Sequence, residues 1–68
     1  MTPPIMQFFG YEHLPANLQA VSKPFFDLAV VIVDLPDNAE RSVALRKLLE
    51  SKDAAVRAAL VRQTIPKT

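Results

Sequence analysis

Residues 28–33 read Leu-Ala-Val-Val-Ile-Val, the longest uninterrupted apolar run in the chain. Its last four residues are β-branched, which by propensity favours a strand. A strand needs a partner, however, and the sequence offers no second strand-like run. The same residues also suit a helix that is buried on nearly all sides. Working outward decides between the two. Leu14, Leu18, Val21, Phe25, Leu28, Ile32 and Leu35 recur at alternating spacings of four and three, the period of one helix face. The fold class that follows is all-α.

Pro24 interrupts this stripe, and the residue before a proline is biased away from α geometry. The expectation is therefore a short helix over 15–22, with Pro15 in its first turn, and a second helix over 24–35 capped by Ser22. Pro3 and Pro4 keep residues 1–13 an extended arm. A third helix is expected over 38–63, with Asp37 as N-cap, Glu40 at capping-box spacing and Pro66 as its stop. Leu45, Leu48, Leu49, Val56, Ala59 and Leu60 form its principal face. A link of about four residues makes the two long helices an antiparallel hairpin. Val43, Ala54, Ala58 and Val61 make a second apolar stripe on the opposite side of the third helix.

The chain has 68 residues, no Cys and one His. A chain this short buries only about 60% of its unfolded surface, and its composition excludes disulfides and a histidine-rich metal site as supplements. Self-association is the remaining remedy, and two apolar faces on one helix point the same way. The expected architecture is a short N-terminal helix and a helical hairpin, assembling as a homo-oligomer. No apolar run approaches the ~20 residues of a membrane span, and MTPPIMQ places no basic residue before an apolar stretch. A cytoplasmic protein without a membrane partner is the expectation.

Charge is unevenly distributed. Residues 1–40 carry only Lys23 against Glu12, Asp27, Asp34, Asp37 and Glu40, whereas residues 41–68 carry seven cations against Glu50 and Asp53. The total is only +1. That pattern suits a local anionic contact better than the broad field of a duplex-DNA binder.

Catalysis finds little support: there is no metal-ligand cluster, no glycine-rich phosphate loop and no nucleophile motif around His13. His13 reads as a surface or capping residue. Arg46, Glu50, Asp53 and Arg57 share one helix face. They read either as intrahelical ion pairs or as guanidinium groups held by carboxylates to grip a phosphate. Lys52 projects near the apolar face, where snorkelling along the hairpin edge accounts for it. Arg41 is a cation in the first turn of a helix, against the dipole, and a bound anion or a neighbouring protomer's carboxylate would offset that.

Residues 8–11, Phe-Phe-Gly-Tyr, hold the only glycine and three of the five aromatic residues. Phe8 and Phe9 can cap the open end of the hairpin while Gly10 turns the chain and Tyr11 packs at the helix start. Alternatively, an aromatic on such a turn can stack on a nucleobase, worth ~1–3 kcal/mol per base, while nearby cations hold phosphate.

FFGYEHLPANLQAVSKPFFDLA and ERSVALRKLLESKDAAVRA together resemble the hairpin domain of phage-encoded cyclic-nucleotide sponges, which counter CBASS and Thoeris immunity. The resemblance spans about residues 8–60 and rests mainly on the second block. It implies an all-helical protomer assembling into a compact homo-oligomer, a hexamer in that family, with pockets between protomers. It further implies sequestration, without cleavage, of cyclic di- or trinucleotides or cyclic ADP-ribose-type signals in the host cytoplasm, with no cofactor. Gly10-Tyr11-Glu12-His13-Leu14 matches the family's first motif and makes Tyr11 the base-stacking candidate. Lys23 is the lysine available for the ligand-holding role, although its spacing from Tyr11 is about three residues shorter than in the family and Pro24 follows it. Arg57 in AAVRA matches an arginine near the end of the family's hairpin and is the candidate for the trinucleotide-type site, and the basic pattern of the last helix adds Arg41 and Arg46 as secondary candidates. The alternative is an oligomeric helical module that binds protein or only builds structure, with no nucleotide ligand.

Overall fold

A computed structural model of the chain describes residues 2–61. It contains a 3-10 helix at Pro4–Phe9, helix α1 at Ala16–Val33 and helix α2 at Ala39–Val61. The described residues include no strand. The β-branched run therefore lies in a helix, and α1 and α2 pack as a hairpin joined by residues 34–38. The expected helix end near residue 63, the Pro66 stop, Arg62 and Lys67 lie outside the described residues, as does the side chain of Val61.

The break at Pro24 does not occur. Helix α1 runs through it, so the two expected helices at 15–22 and 24–35 are one. Proline removes one N–H and crowds the carbonyl four residues back, which here belongs to Ala20. Both Pro24 and Ala20 lie on the exposed side of α1, where solvent can satisfy the freed carbonyl. The opposite side buries Leu18, Ser22 and Ala29, and that packing outweighs the local cost of the proline. Ser22 is consequently not a cap. It is fully buried inside the helix, and its hydroxyl has no hydrogen-bond partner.

Pro15 precedes α1 as its N-cap rather than occupying the first turn, and its carbonyl accepts from the amides of Leu18 and Gln19 at 2.9 Å each. The start of α2 is likewise displaced by one residue. Asn38, not Asp37, caps it, its Oδ1 accepting from the Arg41 amide at 2.9 Å. That register puts Arg41, not Glu40, at the third helical position, so no capping box forms.

Joining the segments also makes α1 an 18-residue helix of mean hydropathy 1.3, apolar enough by length and composition to cross a membrane. Its length is about 27 Å at 1.5 Å per residue, its centre carries Lys23 and Asp27, and its inner face packs on the rest of the chain.

The N-terminal arm is not extended throughout. Its 3-10 turn inserts Phe9, which is fully buried, against Ala29 of α1 and Leu45 of α2. Ile5, Met6, Phe25, Phe26, Ile32, Val33, Leu48 and Leu49 pack against this core. The neighbouring Phe8 points outward and is 56% exposed. On α2, Leu60 was expected on the principal face but is 54% exposed, since it lies near the end of the helix. Val43, Ala54 and Ala58 of the second stripe are exposed.

These two adjacent phenylalanines should respond oppositely to truncation. Phe9→Ala should cost about 3–5 kcal/mol, as for other buried aromatics, whereas Phe8→Ala should stay within ~0.5 kcal/mol; urea denaturation followed by circular dichroism measures both.

Candidate ligand-binding surface

Tyr11 follows the 3-10 helix, and its carbonyl accepts from the Leu14 amide at 3.0 Å, closing the turn that leads into α1. Gln19 pins this turn from inside the helix, donating from Nε2 to the carbonyls of Leu14 at 2.8 Å and Glu12 at 3.3 Å. Gly10 was expected to provide a special turn, but its φ of −57° and ψ of 142° are open to any residue. A Cβ there would meet the Gln7 carbonyl at 3.6 Å, an ordinary contact. The bend comes instead from the 3-10 turn and the Tyr11–Leu14 bond on either side.

The Tyr11 ring is half-buried and meets Phe26 of α1 edge to face, with centroids 5.4 Å apart and planes at 63°. Lys23 lies one helical turn before Phe26 and donates to Asp27 at 2.9 Å. This hydrogen bond, reinforced by the charge of Asp27, holds the Lys23 ammonium above its ordinary pKa of 10.5; Tyr11 is close enough to add a smaller effect in the same direction, while burial opposes it. The structure thus brings Tyr11 and Lys23 to one place. Phe26 and Asp27 were not singled out from the sequence, although the Lys-x-x-x-Asp spacing signals the ion pair.

Arg41 and Arg46 meet elsewhere. Both contribute to a groove of about 390 Å³ between the start of the 3-10 helix and the first turns of α2. The Arg41 side chain is only 12% exposed. Its Nη1 donates to the Val33 carbonyl at 2.8 Å and lies 3.5 Å from that of Leu35, and its Nη2 pairs with Asp37 at 3.1 Å. Its Nε is buried without a partner. A cation opposed to the dipole of α2 is thereby explained within the protomer: it neutralises the carbonyl end of α1. The guanidinium is engaged in the fold, and the bound anion or neighbouring carboxylate considered for it is not required.

Arg57 is exposed and, at 1.5 Å per residue, stands about 24 Å along α2 from Arg41. The expected Arg46–Glu50 and Asp53–Arg57 pairs do not form. Glu50 instead lies 3.8 Å from Lys47, and Asp53 lies 3.3 Å from Lys52. Lys52 follows the snorkelling description, its side chain being 13% exposed along the helix seam. Neither Arg46 nor Arg57 has a carboxylate partner among the described residues. The five candidate residues therefore occupy three places on one protomer.

No cluster of three or more His, Cys, Asp or Glu side chains that could hold a metal is present among the described residues. Comparison of the chain with protein-family models, curated proteins and solved structures finds no match.

The Lys23–Asp27 pair has a defined pH dependence. A raised lysine pKa contributes stability below 10.5 and loses it as pH climbs through the higher folded value, so the lysine's contribution is present at neutral pH and is lost in strong alkali. Asp27→Asn should bring the Lys23 side-chain titration back toward 10.5, as read by NMR of the carbon next to the ammonium.

Proposed function

We propose that the chain is a non-catalytic binder that sequesters a cyclic nucleotide messenger at sites completed when copies of the protomer associate. The observation that carries this reading is the juxtaposition of Tyr11 with Lys23. A half-exposed aromatic ring can stack on a base while an ammonium beside it holds a phosphate, the pairing that nucleotide recognition requires. Phe26 fixes the Tyr11 ring by edge contact without enclosing it. The sequence resemblance to anti-CBASS and anti-Thoeris sponges names the same two residues and implies action in the host cytoplasm.

Self-association, as a hexamer by that resemblance, supplies what one protomer lacks. Leu28, Val30, Val31 and Leu35 are each 46–62% exposed on one protomer. A pocket between copies would gather basic groups that are too far apart in a single chain. Arg57 and Arg46, which lack carboxylate partners among the described residues, are the cations available for a separate trinucleotide-type site. The near-neutral charge of the chain gives no reason to propose DNA as the partner.

A second reading, a helical module that only builds an assembly, has one observation in its favour: the Tyr11–Phe26 contact is also good packing. A thermal-shift panel separates the two. A ligand bound only to the native state at 100 times its dissociation constant adds ~2.7 kcal/mol. At least one cyclic dinucleotide, cyclic trinucleotide or cyclic ADP-ribose-type compound should therefore raise the melting temperature and be recovered intact after heat denaturation. Tyr11→Ala and Lys23→Ala should remove a dinucleotide shift while leaving assembly unchanged. Absence of any shift would favour the structural module, and a linear product would exclude sequestration.

A further inference from the structure

Two opposite charges near the joined ends of the helices have no partner of their own. Asp34, the residue that ends α1, pairs with no described cation, and Arg46 pairs with no described carboxylate. Each sits beside apolar surface in need of cover. Asp34 is flanked by Val30, Val31 and Leu35, which are 46%, 62% and 52% exposed. Arg46 lines the groove of about 390 Å³, whose apolar walls are Pro3, Pro4, Ile5, Val43 and Leu45. A carboxylate at a helix C-terminus faces the negative end of the dipole. Arg41 relieves the carbonyls of Val33 and Leu35 there but makes no pair with Asp34.

We infer that the groove receives a second copy of this chain: the Val31–Leu35 corner of one protomer seats between the Pro3–Ile5 segment and α2 of the other, with Asp34 facing Arg46 across the interface. Corner and groove lie on the same end of the hairpin, since Arg46 is only about 7.5 Å along α2 from Arg41, which itself touches Val33. A two-fold arrangement therefore satisfies both copies at once, each giving its corner and receiving the other's. Charge complementarity favours this occupant over an anionic membrane, because Asp37 and Glu40 are exposed near the same corner. The inference rests on the self-association in the proposed function and not on its nucleotide.

Native mass spectrometry and light scattering of the full chain without nucleotide test it. Asp34→Arg and Arg46→Glu should each weaken assembly by about tenfold or more, as for close interfacial charge pairs. The double variant should restore it, and so should an equimolar mixture of the two single variants, in which every cross-contact again joins opposite charges. Both sites are exposed, so circular dichroism should show unchanged helicity. Single variants that assemble like the wild type, or a double variant and mixture that stay dissociated, would overturn this interface while leaving self-association intact. A wild-type chain monomeric at micromolar concentration, or one captured by phosphatidylglycerol vesicles instead of by itself, would overturn the pairing too. Failure of the nucleotide reading is seen separately, in the thermal-shift panel.

Discussion

Two antiparallel helices bury only the strip along which they touch, and the ring of Phe9 is what turns that strip into a core. It enters from the N-terminal 3-10 turn and is enclosed by Ala29 on one helix and Leu45 on the other. The small side chain at 29 leaves room for the ring to reach the seam. The arm is thereby tied down, and because Tyr11 lies only two residues after Phe9, the same insertion brings its ring against Phe26. The candidate binding surface is thus a consequence of how the core is closed.

The far end of the hairpin is organised by Arg41. Five residues, 34–38, must reverse the chain and leave the last carbonyls of α1 facing outward. Arg41 covers that of Val33, reaches the Leu35 carbonyl in the link and pairs with Asp37, so one guanidinium spans the reversal. Planar, multiply donating geometry suits this task better than a lysine would. Its cost is a buried Nε without a partner.

Helical class and hairpin were legible because the apolar period of residues 14–35 survives every local irregularity. The break at Pro24 was misread because a local bias was given priority over burial. Proline lies on the solvent side of α1, where the lost bond matters least, and the sequence does not show which side is wet until the tertiary packing is known. The same limit explains FFGY: composition joins Phe8 and Phe9, but the 3-10 turn sends one inward and the other out. For the site, the neighbours of Lys23 were readable from the four-residue spacing to Asp27, whereas the contact of Tyr11 with Phe26 depends on how the arm folds back. The Arg46 and Arg57 pairings were misassigned for a related reason. Several carboxylates lie within reach of several cations on α2, and spacing alone does not rank them.

Continuity through Pro24 bears on the exposed apolar surface as well. Split in two, the segment would offer short faces at different angles; as one rod, α1 aligns Leu28 and Val31 toward solvent on a common side, with the exposed Leu35 just beyond its end. Its length and hydropathy alone would also suit a membrane span. Such a span would have to take Lys23 and Asp27 into lipid and separate Leu18 and Ala29 from the packing that buries them. Docking against protein asks for neither. The ion pair can remain at a wet edge of the contact while the exposed apolar residues from Leu28 to Leu35 are covered, and this physical difference favours the proposed self-association over a membrane span for that face.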